Sequence, residues 1–188
     1  MRKPDRFAAI VALGATVALM VAGAASGGKV FRETIHDEFQ FTDPNFCDAG
    51  LAVEVAVVLD IRLQIAPRGR DGLVYFQAHF READVLTNPA NGNSVRSIVS
   101  AIEKDLHVRD NGDGTLTILT LATGNAVLYG ESGKAIARNP GQIRVELVID
   151  HGGTPNDPDD DVVLSEEVVK GSTGRSDDFC EAAVAELT

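Results

Sequence analysis

Between Ile149 and Asp161 the chain gathers one histidine, His151, and a run of carboxylates at Asp150, Asp157, Asp159, Asp160 and Asp161. A calcium ion takes six to eight oxygen ligands, and clustered carboxylates on a loop can supply several of them. Asp157, Asp159, Asp160 and Asp161 are therefore candidate ligands of a weak calcium site. The spacing is not that of an EF-hand, which needs alternating acids, a central glycine and a distant glutamate. Gly152, Gly153, Pro155 and Pro158 also build turns by themselves, and aspartates beside prolines form Asx turns. A plain solvated loop thus accounts for the same residues. Asp110, Asn111 and Asp113 pose the same choice, and there a hairpin turn explains each of them.

Acid–base chemistry has a second candidate location. Tyr75 and His79 fall on one face of a strand-like stretch, together with Gln77. If that face lined a cavity, the pair could act as acid and base; if not, it is an ordinary solvent face. The four histidines, at 36, 79, 107 and 151, show no His-x-His or His-x-x-x-His pair, so the sequence holds no local zinc motif. No nucleophile motif is complete either. Gly130-Glu131-Ser132-Gly133-Lys134 lacks the final glycine of a nucleophile elbow. Gly171-Ser172-Thr173-Gly174-Arg175 lacks the Gly-Lys-Ser/Thr ending of a phosphate loop. No catalytic residues are assigned.

The elements that must position these residues are mostly strands. From Leu51 to Ile65 every second residue is apolar: Leu51, Val53, Val55, Val57, Leu59, Ile61, Leu63 and Ile65. Period two predicts a strand with one buried face. Laid straight it would span roughly 50 Å, against the usual 17–20 Å, so it must bend around a core or break at a bulge. Leu73–Phe80 alternates likewise, with Val74, Phe76, Ala78 and Phe80 on one face. Ile143, Val145, Leu147 and Ile149 repeat the pattern. Thr115–Thr123, Ala126–Tyr129 and Val162–Lys170 read as further strands. The span Ser94–Leu106 fits both helix and strand; its β-branched residues favour a strand with Ile98, Ile102, Leu106 and Val108 on one face. Residues 110–114, Glu131-Ser132-Gly133 and Asn139-Pro140-Gly141 read as turns. Residues from Asp178 to Leu187 read as a short helix capped by Asp177 or Asp178.

Composition sets the class. The 188 residues carry a formal charge of -11. Arg2, Lys3 and Arg6 precede an apolar run from Phe7 to Val21 and a small-residue stretch at Ala22–Ser26. That order is a secretory signal peptide over residues 1–25, the alternative being an uncleaved membrane anchor. No later segment reads as a membrane span. Residues 26–32 read as a flexible leader and 33–188 as a single domain. Without residues 1–25, which carry Arg2, Lys3 and Arg6 against Asp5, the chain is more acidic still. Such a surface repels phosphate backbones, so nucleic acid is excluded as a partner. Two cysteines, Cys47 and Cys180, fit one disulfide in an exported chain. Each follows a phenylalanine, Phe46 or Phe179, that could pack beside the bridge.

Several blocks stand together: Asp71-Gly72-Leu73-Val74-Tyr75-Phe76, Thr87-Asn88-Pro89, Asp110-Asn111-Gly112-Asp113-Gly114-Thr115, Asp150-His151-Gly152-Gly153-Thr154-Pro155 and Phe179-Cys180. In these the chain resembles a group of exported proteins of high-GC Gram-positive bacteria with no assigned function. The resemblance implies secretion and the Cys47–Cys180 pair, and it carries over no catalytic residue.

The expectation is an all-β antiparallel meander of eight or nine strands, forming a single β-barrel or, alternatively, a β-sandwich, with a short C-terminal helix. Its expected role is that of a secreted, disulfide-bonded, non-catalytic module that binds an extracellular ligand or protein. The alternatives are a barrel-cavity enzyme of the isomerase or cyclase type, or a calcium-stabilised envelope protein. No cofactor other than calcium is implied.

Overall fold

Alternation of apolar and polar side chains, held through long segments, produces one curved sheet. The structure, a computed structural model, describes residues 30–188; the signal-peptide segment lies outside the described residues. Seven strands run in chain order: β1 (Phe31–Phe46), β2 (Leu51–Arg68), β3 (Leu73–Thr87), β4 (Ser94–Asp110), β5 (Thr115–Tyr129), β6 (Ala135–Asp150) and β7 (Val162–Lys170). Each pairs antiparallel with the next, so sequence order is spatial order. A single helix, α1 (Phe179–Leu187), follows. The first strand begins at Phe31, inside the stretch expected to be a leader.

The all-β meander and the terminal helix agree with the sequence, but the expected barrel does not close. β1 and β7 are the two outer strands of the sheet and do not pair with each other. The consequence shows in their side chains. Phe39 and Phe41 share the inward face with Val57 and Val55 through the β1–β2 register, yet they are 44% and 51% exposed. Every residue of β7 is exposed.

The strands are seven rather than eight or nine; β1 is one that the alternation pattern did not pick out, and two expected breaks are continuous. Thr115–Tyr129 is one strand. Asn139-Pro140-Gly141, expected as a turn, lies inside β6 and pairs with Gly124–Ala126. Proline normally interrupts a ladder because it has no N–H. Here β7 pairs with β6 only over Arg144–Asp150, so Pro140 has no partner in β7 whose ladder it could interrupt.

Two features bend the sheet. At its waist the inward positions are Ala101, Gly124 and Gly141, aligned across β4, β5 and β6. A Cβ on Gly124 would lie 2.5 Å from the Ser100 carbonyl oxygen and 2.8 Å from Ala101 Cα, so only glycine lets the neighbouring strand approach this closely. A bulge between Asp105 and His107 then resets β4 against β5. β2 itself carries no shift against β3 from Glu54 to Arg68, so it does not break at a bulge there.

Above and below the waist the interior differs. On one side α1 packs against β4 and β6 and fills the space with Ala183 and Leu187, beside Phe46, Val53, Leu86, Val95 and Leu128. Burying the large apolar side chains here, at about 1.5–3 kcal/mol each, favours the packed position of the helix. Both helix ends are also tied. Asp178 caps the start by accepting from the Glu181 N–H at 2.9 Å. At the other end Asn88 and Asn91 donate side-chain N–H groups to the Leu187 carbonyl at 2.8 and 2.9 Å, satisfying an oxygen that the helix leaves unpaired. A disulfide joins Cys47 to Cys180, with Cα atoms 5.5 Å apart, and the rings of Phe46 and Phe179 meet edge to face beside it. On the other side of the waist, among the described residues, no α-helix enters.

Candidate functional site

That unplugged end holds a hollow. β2 contributes Ile65, β3 Val74 and Phe76, β5 Leu116, Ile118 and Thr120, and β6 Leu147 and Ile149. The loop after β6 covers one side with Pro155, Pro158 and Asp161, and Val163 of β7 stands at the rim. Its volume is about 110 Å³, and it opens to solvent on one side. Its walls are overwhelmingly apolar.

Three carboxyl groups interrupt those walls: Glu103, Asp105 and Asp161. Glu103 and Asp105 are alternate residues of β4, so they project to the same face, roughly 7 Å apart along the strand. Glu103 stands across from Ala78 of β3 and Ala122 of β5. It is 6% exposed and, among the described residues, no hydrogen bond reaches its carboxyl group. Burial, and then the charges of Asp105 and Glu166, push its pKa up to about 8. Asp105 is equally buried but differently served. It accepts from the Phe76 N–H at 2.8 Å and from the Thr120 hydroxyl at 2.9 Å. Burial raises its pKa, while those two donors and the more distant Arg68 offset part of the rise, leaving it at about 6. Asp161 is half-buried at the mouth; burial and then the neighbouring Asp160 raise it to about 6.

The glycine-and-aspartate stretch from Asp150 to Asp161 is thus the cover of the hollow. Its shape comes from local bonds: Gly152 N–H to the Asp150 carboxylate at 3.0 Å, Thr154 N–H to the His151 carbonyl at 2.8 Å, and the Thr154 hydroxyl to Asp160 at 2.8 Å. Gly152 and Gly153 both have positive φ, which the tight reversal after β6 requires. His151 is buried and accepts at Nδ1 from the Gly153 N–H at 3.2 Å. Of the four candidate calcium ligands, Asp160 turns to Thr154 and Asp161 to the hollow. Asp157 belongs to the turn that follows Thr154, and Asp159 to the 3-10 turn Pro158–Asp160. Among the described residues no three metal-ligating side chains converge.

Tyr75 and His79 stand on the face of β3 opposite Phe76 and Ala78 and do not line the hollow. The Tyr75 hydroxyl accepts from the Val108 N–H at 3.1 Å, and Arg68 stacks on its ring at 5.1 Å. His79 is exposed, 3.1 Å from the Gln77 amide.

Glu103 and Asp105 are the residues that sequence reasoning missed. Assigning the inward face of β4 to Ile98, Ile102 and Leu106 puts the acids outside. The structure reverses this: Val95, Ser97, Val99, Glu103 and Asp105 are buried, and Leu106 is 38% exposed. The bulge after Asp105 returns Val108 to the inside, which is why Val108 falls out of phase with Glu103. The detectable signal was period two from Val95 through Val99, continued to an acid. Comparison with protein-family models, curated proteins and solved structures finds no match to this chain.

Proposed function

We propose that this chain is an exported, disulfide-stapled binding protein that takes an apolar small molecule into the hollow of its sheet. The observation that carries this reading is the hollow itself: about 110 Å³ lined by Ile65, Phe76, Ile118, Leu147 and their neighbours, with an open mouth. A fully packed interior leaves few voids larger than a water molecule. An apolar cavity of about 150 Å³ is enough to hold a benzene ring. The volume here suits a small ring or a branched alkyl group, and the rest of a larger ligand would lie in the mouth between Pro155, Pro158 and Val163. The Cys47–Cys180 bridge supports an oxidising destination.

The test uses N-phenylnaphthylamine, a neutral dye that brightens in apolar surroundings. Saturable brightening is expected with the native protein. Ile118→Trp, which fills the hollow from the β5 wall, should abolish it while leaving the far-ultraviolet circular dichroism unchanged. Absence of saturable binding, or equal binding by the folded Ile118→Trp variant, overturns the proposal.

A further inference from the structure

We infer that Glu103 is the recognition group of the hollow, a carboxylic acid donating its O–H to an uncharged acceptor oxygen, such as that of a ketone, ester or amide, on an otherwise apolar ligand. This rests on the binding function proposed above and names the chemistry of what is bound.

The geometry distinguishes the two buried acids. Asp105 already receives two protein donors, and these hold its carboxylate form. Glu103 receives none among the described residues, although it is 94% removed from solvent and lines the hollow. A buried carboxylate without donors is so costly that the group keeps its proton instead. The charged groups around it act the same way. Asp105 lies on its own strand, Glu166 on β7 adds a further negative charge, and Asp161 stands across the hollow on the covering loop. Arg68 of β2 acts on Asp105. Among the described residues nothing cationic therefore holds Glu103 ionised near neutrality, which agrees with its pKa of about 8.

A neutral carboxylic acid offers one strong donor. On either side of Glu103 the inward positions are alanines, Ala78 and Ala122, too small to cover its end or to bond to it. The hydrogen bond it can make is therefore open to water or to a ligand that displaces it. An acceptor oxygen fits. An ammonium group fits less well, because a neutral Glu103 gives a cation little and each Asp105 oxygen already accepts one protein hydrogen bond, from Phe76 or Thr120.

The experiment compares Prodan, a neutral naphthyl ketone, with N-phenylnaphthylamine, which has no carbonyl, and with naphthylmethylamine, which is cationic. Prodan should bind about tenfold more tightly near pH 7 than near pH 9, the effect of removing one good hydrogen bond. Glu103→Gln keeps an N–H donor and should retain Prodan binding while losing that pH dependence. Glu103→Leu should weaken Prodan about tenfold and leave N-phenylnaphthylamine unchanged. Prodan binding equal in the wild type and Glu103→Leu overturns the inference, as does a preference for the cationic amine that Glu103→Gln weakens. If none of the three probes binds, the binding function itself fails. If N-phenylnaphthylamine binds but the ketone gains nothing from Glu103, only the present inference fails.

Discussion

Glu103 and Asp105 are two positions apart on one strand and face the same hollow, yet among the described residues only Asp105 has donors, from Phe76 and Thr120. Two like acids in one apolar setting are both raised by burial, but those donors hold Asp105 at about 6 while Glu103 reaches about 8, on either side of neutrality. Separation of this kind lets one carboxyl stay neutral while its neighbour is ionised.

That difference predicts how stability depends on pH. The pKa of Glu103 is raised in the folded state from an ordinary 4.5 to about 8, so the folded chain binds the proton more tightly. The stability this confers is complete below about 4.5 and is lost as pH rises through about 8. Asp105 and Asp161, both near 6, add their own loss at lower pH. Between about pH 6.5 and 8.5 the wild type should lose on the order of 2 kcal/mol. Glu103→Gln should flatten that part of the curve, measured as urea midpoints across the range. Parallel curves for the two proteins would refute the assignment.

The Cys47–Cys180 bridge closes a loop with a sequence separation of 133. The loop-entropy relation gives such a bridge about 4–5 kcal/mol. The double variant Cys47→Ala, Cys180→Ala should lose stability on that scale in chemical denaturation. The native protein should resist alkylation unless a reductant is present. Labelling of both thiols without reductant would count against the bridge.

Gly124 tests the waist. Gly124→Val places side-chain atoms against the Ser100 carbonyl and Ala101, with backbone on both contacts. Forced overpacking costs about 1–3 kcal/mol, and here the rigid neighbours put the cost at the upper end. Gly171→Ala, where a Cβ meets nothing within 4 Å, is the matched control and should be close to neutral. Equal thermal midpoints for the two variants would show that the sheet does not need its close approach at Gly124.

Leu187 is fully buried at the end of α1, and its carbonyl accepts from Asn88 and Asn91. Leu187→Ala should destabilise by about 2–5 kcal/mol through the cavity it leaves. Asn88→Ala should cost less, about 1–2 kcal/mol, since Asn91 still serves the same carbonyl. If Asn88→Ala proves the more damaging, the helix is held by its tether rather than by its packing.

The sequence by itself determined the local structure. Strict alternation from Leu51 to Ile65 requires a strand with one buried face, because side chains on a strand alternate between faces. Asn-Gly and Asp-Gly after Asp110 require a reversal, and Asp178 before an alanine-rich run starts a helix. Two cysteines, each behind a phenylalanine, announced their own pairing. What only the tertiary structure decided was closure, phase and the site. Whether β1 meets β7 depends on the summed bend of seven strands, which no single segment encodes. Asn139-Pro140-Gly141 looks like a turn until the short reach of β7 leaves β6 an edge there. The inward face of β4 was set by pairing with β3 and β5 and by one bulge, so Glu103 and Asp105 could be recognised as interior groups only once their neighbours were in place. Burial is a property of what surrounds a side chain, and for these two acids the surroundings come from other strands, β3 and β5 beside them and β2 and β6 in the other walls of the hollow.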